Sequence, residues 1–214
     1  MTTDIIQGTP KWFAVRAGKV TASRVADVIA KTKTGYSTSR ANYANDLAME
    51  RLGVFQETHT NPAMQHGTEQ EPFARMEYEA RTGNLVLEVG FVHHPTIDMA
   101  GASPDGVIGK GLLECKCPTP RVHTDYWIAG EVPEKYKPQM AWQMACTGAK
   151  WVDFVSYLPI VNNINPDIAE NLKYFCVRYE RDDEYIAMLE DEVRKFLDEV
   201  NERYEALNQK LKGK

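Results

Sequence analysis

An α/β fold is predicted for this chain, on three observations. Short β-branched or aromatic runs, bounded by Gly, Pro or Asn, alternate with segments of helical period. Strand runs interleaved with helices imply a sheet covered by helices. The chain then ends in a long amphipathic repeat, and its 214 residues suit one domain, spanning 1–214.

The elements follow in order. Residues 21–31 predict a short helix with Val25, Val28 and Ile29 on one side, opened by Thr21-Ala22-Ser23 as its N-cap. GYSTSR over 35–40 reads as a loop, and 41–52 as a second helix stopped by Gly53. Thr68-x-x-Glu71 has capping-box spacing, followed by Phe73, Met76 and Ala80 and stopped at Gly83. Strands are expected over 84–92, 98–108, 111–117, 151–158 and 172–179, with a helix over 135–147 between two of them. Ile186, Leu189, Val193, Phe196, Val200, Tyr204, Leu207 and Leu211 recur every three or four residues, which predicts a C-terminal amphipathic helix.

Composition removes several classes. No stretch reaches the roughly 18 apolar residues of a membrane span. The start, MTTDIIQGTPKW, lacks the basic and apolar blocks of a secretory signal. Four cysteines are too few for a disulfide framework, so a reducing cytoplasm is expected. The net charge of −5 does not announce nucleic acid, but its distribution is uneven. From Glu180 onward there are eleven acids and seven bases. Between Lys11 and Arg40 there are seven bases and one acid, Asp27. That basic run reads either as a solvated helix face or as an anion site.

Residues 100–118, AGASPDGVIGKGLLECKCP, carry the chemistry. Gly109-Lys110 is a favoured two-residue hairpin turn. With that turn Ile108 faces Gly111, and Asp105 falls opposite Glu114. Lys116 shares their face, while Leu113, Cys115 and Cys117 point the other way. Opposed like charges repel unless something offsets them, and a divalent cation would. Carboxylates, a backbone carbonyl from Cys115 and waters are the ligands Mg²⁺ prefers. Lys116 would orient a water or stabilise an oxyanion. The plain alternative is a surface hairpin whose Lys–Glu pair is worth ~0–1 kcal/mol.

Pro104-Asp105 followed by Glu114-Cys115-Lys116 resembles the signature of the PD-(D/E)XK nuclease superfamily. Trp12–Ile29, Gly67-x-x-x-Glu71, Ser103–Gly106, Leu113–Pro118 and Tyr136-x-x-Gln139, in this order, resemble the phage lambda exonuclease family of YqaJ-like viral recombinases. The resemblance implies a restriction-endonuclease-like core: a mixed central sheet flanked by helices. It implies a homotrimeric ring that degrades one strand of linear duplex DNA from a 5′ phosphate. The 3′ strand left behind would pass to a single-strand annealing protein in a bacterial host cell. Asp105, Glu114, the Cys115 carbonyl and the outer acid Glu71 would hold two Mg²⁺ ions, with Mn²⁺ as an alternative. Lys116 matches the catalytic lysine and Gln139 the family glutamine beside the site. Arg16, Ser23, Lys33 and Ser103 match positions that hold the 5′ phosphate. The acidic tail would then lie on an outer face or at a contact.

Other features count for less. Cys115-x-Cys117 lacks the usual zinc spacing. His93-His94-Pro95 reads as a strand end. Trp12, Trp127, Trp142 and Trp151 read as core or subunit contacts, and Lys31 and Tyr36 as loop residues near DNA. A structure- or sequence-specific endonuclease and a non-catalytic DNA-end adaptor are the competing functions. The adaptor would lack Asp105, Glu114 or Lys116, and none is missing.

Overall fold

Strand alternation decides the architecture around the hairpin. A computed structural model describes residues 5–55, 62–159 and 165–213, which include every candidate site residue. Strands β6 (Gly106–Ile108), β7 (Gly111–Lys116), β8 (Trp151–Tyr157) and β9 (Tyr174–Glu180) form a mixed sheet in that order, only β7 and β8 being parallel. Leu112 faces one way and Leu113 and Cys115 the other, so both faces of β7 need cover.

Parallel neighbours require a crossover, and here it carries helices α5 (Pro120–Ala129) and α6 (Lys137–Thr147). Met140, Trp142 and Met144 of α6 join Leu112, Val152 and Phe154 in the larger core. Helices α2 (Val25–Ile29), α3 (Thr38–Arg51) and α8 (Asp183–Lys212) complete it. Helix α4 (Pro62–Thr82) covers the opposite face, with Ala74 and Tyr78 on Leu113, Cys115 and Val155. A second sheet has β1 (Val20–Thr21) parallel to β5 (Ala100–Ala102), itself antiparallel to β4 (Val92–His93). No helix among the described residues is long and apolar enough to cross a membrane.

The 30-residue α8 confirms the C-terminal repeat. Asp182 accepts from the Tyr185 amide, acids occupy the first turn and lysines the last, as the helix dipole favours. The helix over 135–147 and the strands over 111–117, 151–158 and 172–179 shift at their ends by two residues or fewer.

Five expectations change. Residues 21–31 are not one helix: Val20-Thr21 pairs into a sheet, Ala22–Arg24 is a 3-10 turn, and α2 has five residues. Thr21 is the N-cap residue of that 3-10 turn but makes no side-chain cap bond. The 35–40 loop is instead β3 (Gly35–Tyr36), hairpinned to β2 (Lys31–Thr32), and the start of α3. The Thr68/Glu71 box lies inside α4, where the Thr68 hydroxyl donates back to Met64 O, and Phe73 and Met76 stay 51% and 61% exposed. Strand 98–108 breaks at Pro104, which lacks an N–H, and 84–92 makes only a Leu87–Val107 bridge before β4.

Three helices were not expected: α1 (Pro10–Arg16), α5 and α7 (Pro166–Leu172). Each begins Thr-Pro or Asn-Pro, an N-cap followed by proline at N1. Thr9 and Asn165 accept from Trp12 and Ile168 amides.

One base of the basic run is spent inside the fold. Arg40 is 1% exposed and pairs with Glu192 at 3.4 Å and Glu199 at 2.8 Å, both on α8. It also donates to Val28 O and stacks on Tyr36, whose hydroxyl donates to Glu192. Part of the acidic tail therefore faces inward. Removing one partner of a buried pair leaves an uncompensated charge. Arg40→Ala should cost about 3 kcal/mol in denaturant unfolding, and exposed Lys33→Ala within about 0.5 kcal/mol of nothing.

Candidate active site

The site begins with the hairpin turn. Gly109 has φ +56° and no non-glycine among the described residues has positive φ, so only the first turn residue is left-handed, as a Gly-X hairpin requires. The observed register pairs Ile108 with Gly111 and Gly106 with Leu113. A Cβ on Gly106 would lie 2.1 Å from Val86, so the backbone there requires glycine. The ladder ends at Gly106, and one step further Asp105 reaches across: its Oδ2 accepts from the Cys115 amide at 2.7 Å. Its carbonyl accepts from Arg75 at 3.0 Å, and the preceding Pro104 carbonyl from Gln7 at 2.9 Å.

Glu114 is fully buried between β7 and α6. Its Oε1 accepts from Lys116 and from Gln139 Nε2 at 2.6 Å, and its Oε2 from Gln143 Nε2 at 2.6 Å. Lys116 stays 26% exposed, with its ammonium 5.1 Å from the Tyr136 ring centroid. Glu71 stands on α4 at the same end of the sheet, 3.6 Å from Arg75. Burial, then the charges of Glu114 and Glu71, hold the Asp105 carboxyl well above its usual range. Burial also raises Glu71, against the opposing pull of Arg75. Burial would lower the Lys116 ammonium, but Glu114 and Asp105 outweigh it and raise it.

The structure thus brings Asp105, Glu114, Lys116, Glu71 and Gln139 into one electrostatic cluster. Among the described residues no three His, Cys, Asp or Glu side chains stand in a ready ligating group. The donor chemistry nevertheless fits a hard divalent cation. The groups are carboxylate oxygens, the Glu114 charge raises the proton affinity of both Asp105 and Glu71, and Asp105 spends only Oδ2 on a hydrogen bond. A soft metal does not fit, because the Cys115 side chain belongs to the opposite core, with Cys117 packed against it.

Of the anion candidates, Arg16 stacks on Trp12, its guanidinium carbon 3.7 Å from the ring centroid, and Trp12 donates to Ser103 Oγ at 2.9 Å. Burial lowers the Arg16 guanidinium to about 10, partly offset by Tyr43 and Glu50. Ser23 is exposed on the 3-10 turn that follows β1, beside the β5 end that leads to Ser103, and contacts the Thr21 hydroxyl at 3.5 Å. Lys33 lies exposed at the tip of the β2–β3 hairpin, with no contact that joins it to the other three. Lys31 and Tyr36 are held toward α8 through Glu192. His94 is core, stacked on Trp142 and 3.2 Å from Glu190. Of the other tryptophans, Trp142 is buried and Trp127 is 40% exposed.

Sequence reasoning missed Gln143, Arg75 and Gln7. Only Gln143 had a signal, its i+4 spacing from Gln139 on a helix that meets the sheet.

Comparison with known proteins finds a family and solved structures of the same fold. The sequence model of the YqaJ-like viral recombinase domain matches residues 11–150. An alkaline exonuclease, LHK-Exo, from Laribacter hongkongensis is 47% identical with a TM-score of 0.85, covering 96% of this chain and 99% of that one. Its complex with dAMP gives 48%, 0.84 and the same coverage. A phage-related exonuclease from Haemophilus somnus shares the fold at 16% identity and a TM-score of 0.65, covering 90% and 96%. Among curated proteins nothing matches.

Because the native Asp105 titrates above its unfolded value, the unfolded chain ionises first as pH rises from about 4. Without divalent ions, Asp105 therefore lowers stability progressively from that pH up to its raised native value. Raised Glu71 slopes the same way and lowered Glu77 and Glu192 the opposite way, so the readout is a difference. Urea unfolding of Asp105→Asn should gain on the wild type as pH rises through this window.

Proposed function

The chain belongs to the YqaJ-like viral recombinase family, and from that premise we propose that it is a Mg²⁺-dependent exonuclease acting on linear duplex DNA. It degrades one strand 5′→3′ and leaves a 3′ single-stranded overhang. The observation that carries the reading is the gathering of Asp105, Glu114 and Lys116 at one end of β7, with Glu114 orienting donors already in place. The alkaline exonuclease relative supports it, and dAMP, held by that relative, belongs to the product class an exonuclease releases.

Asp105 and Glu114, with the Cys115 carbonyl between Glu114 and Lys116, would hold Mg²⁺, and Glu71 the second ion or its water. Mn²⁺ is the alternative occupant. When bound, such ions lower the pKa of water and steady charge on phosphoryl oxygens. Lys116, kept protonated by Glu114 and Asp105, presents a fixed cation to the scissile phosphate. Gln139 keeps Glu114 oriented. Arg16, backed by Trp12, with Ser103 and Ser23, receives the terminal 5′ phosphate, and Lys33 contacts DNA from the hairpin tip. Residues 1–214 act as one nuclease unit in a homotrimeric ring, in the cytoplasm of a bacterial host, passing its product to a single-strand annealing protein.

Asp105→Ala and Lys116→Ala should each abolish Mg²⁺-dependent digestion of linear duplex while circular dichroism stays native. Normal activity in either would refute the site. A closed circular plasmid should stay intact, whereas an endonuclease would cut it. Arg16→Ala should lose at least about tenfold on 5′-phosphorylated ends and less on 5′-hydroxyl ends, followed by strand-specific end labels.

A further inference from the structure

Gln143 is the one polar side chain on α6 that is both fully buried and committed to the site. Its neighbours Met140, Trp142 and Met144 are core. Its Nε2 donates to Glu114 Oε2, while its own Oε1 is buried with no hydrogen-bond partner among the described residues. A buried acceptor left unpaired costs free energy, and a methionine would fill similar volume without it. Apolar packing alone gives no reason for an amide here. The carboxylate it touches does.

Lys116 and Gln139 both donate to Oε1 of Glu114, and only Gln143 donates to Oε2. A carboxylate has about four acceptor sites, so these three bonds leave a free one on Oε2. Anchored at one oxygen alone, the planar carboxylate could still tilt about Oε1 through rotation of the Glu114 side-chain bonds. The third donor stops that rotation.

We propose that Gln143 is a positioning residue, which acts through Glu114 by locking the plane of its carboxylate so that the remaining acceptor site keeps one direction. This rests on the nuclease reading, in which Glu114 holds a divalent cation. Loss of a group that orients a ligand typically costs 10- to 100-fold in metal affinity or activity. A residue that merely fills space would change the folded fraction and leave the behaviour of each folded molecule alone.

The test uses the full chain carrying Gln143→Met, with Mg²⁺ and Mn²⁺ titrated calorimetrically in the absence of DNA, alongside digestion of linear duplex. Metal affinity and kcat per folded molecule are expected to fall about tenfold or more, with KM for DNA within about threefold, and the melting temperature to fall because Glu114 loses a hydrogen bond in the interior. Wild-type metal affinity and kcat per folded molecule would overturn the assignment, whatever happens to stability. If Gln143→Met does not fold, Gln143→Asn takes the same measurements, since its shorter amide falls short of Oε2, and the same two outcomes apply. Absence of Mg²⁺-dependent digestion by the wild type would sink the nuclease reading, while the calorimetric comparison would still decide the role of Gln143.

Discussion

A carboxylate with no solvent exposure sits in the middle of this protein, and Glu114 keeps its place only because three donors converge on it. Bringing an ion out of water costs several kcal/mol, which hydrogen bonds and an adjacent cation must offset. Lys116 comes from the same strand, but Gln139 and Gln143 come from α6. The crossover between β7 and β8 is therefore also the device that lays two amides against the acid. Without α6 in that position the strand would present an unpaired charge to an apolar core.

The other face of β7 explains how charged and apolar residues interleave along six positions. Leu113 and Cys115 anchor the strand against α4, while Glu114 and Lys116 turn toward the site. Asp105 enters from outside the ladder, its carboxylate on the Cys115 amide and its backbone on Arg75. A break after Ala102, enforced by Pro104, frees the aspartate from strand pairing and lets it reach across.

Charge is sorted on the same principle. The basic segment near the N-terminus and the acidic C-terminal helix meet through Arg40, Glu192 and Glu199, which removes the most buried cation from any role toward an anion. Arg24 is likewise tied, 2.5 Å from Asp27. Arg16 remains, supported by an aromatic ring rather than a carboxylate, so its positive field is not cancelled at contact distance. Net charge is thus a poor guide to the local field here.

Short-range patterns were readable from the residues. The Gly109 turn, the alternation in Leu112–Lys116 and the repeat of α8 each depend on neighbours within a few positions, and each is observed as expected. The Thr-Pro and Asn-Pro starts of α1, α5 and α7 were equally local and were overlooked. The Thr68/Glu71 spacing misled because α4 runs on past it in both directions. What the sequence determined by itself was the hairpin, its register and the set of chemical groups it gathers, since these follow from backbone geometry over a dozen residues. Only the tertiary structure decided which charges are consumed by packing and which amides reach Glu114. Those depend on segments far apart in the chain meeting across a core: Arg40 with α8, Gln143 with β7.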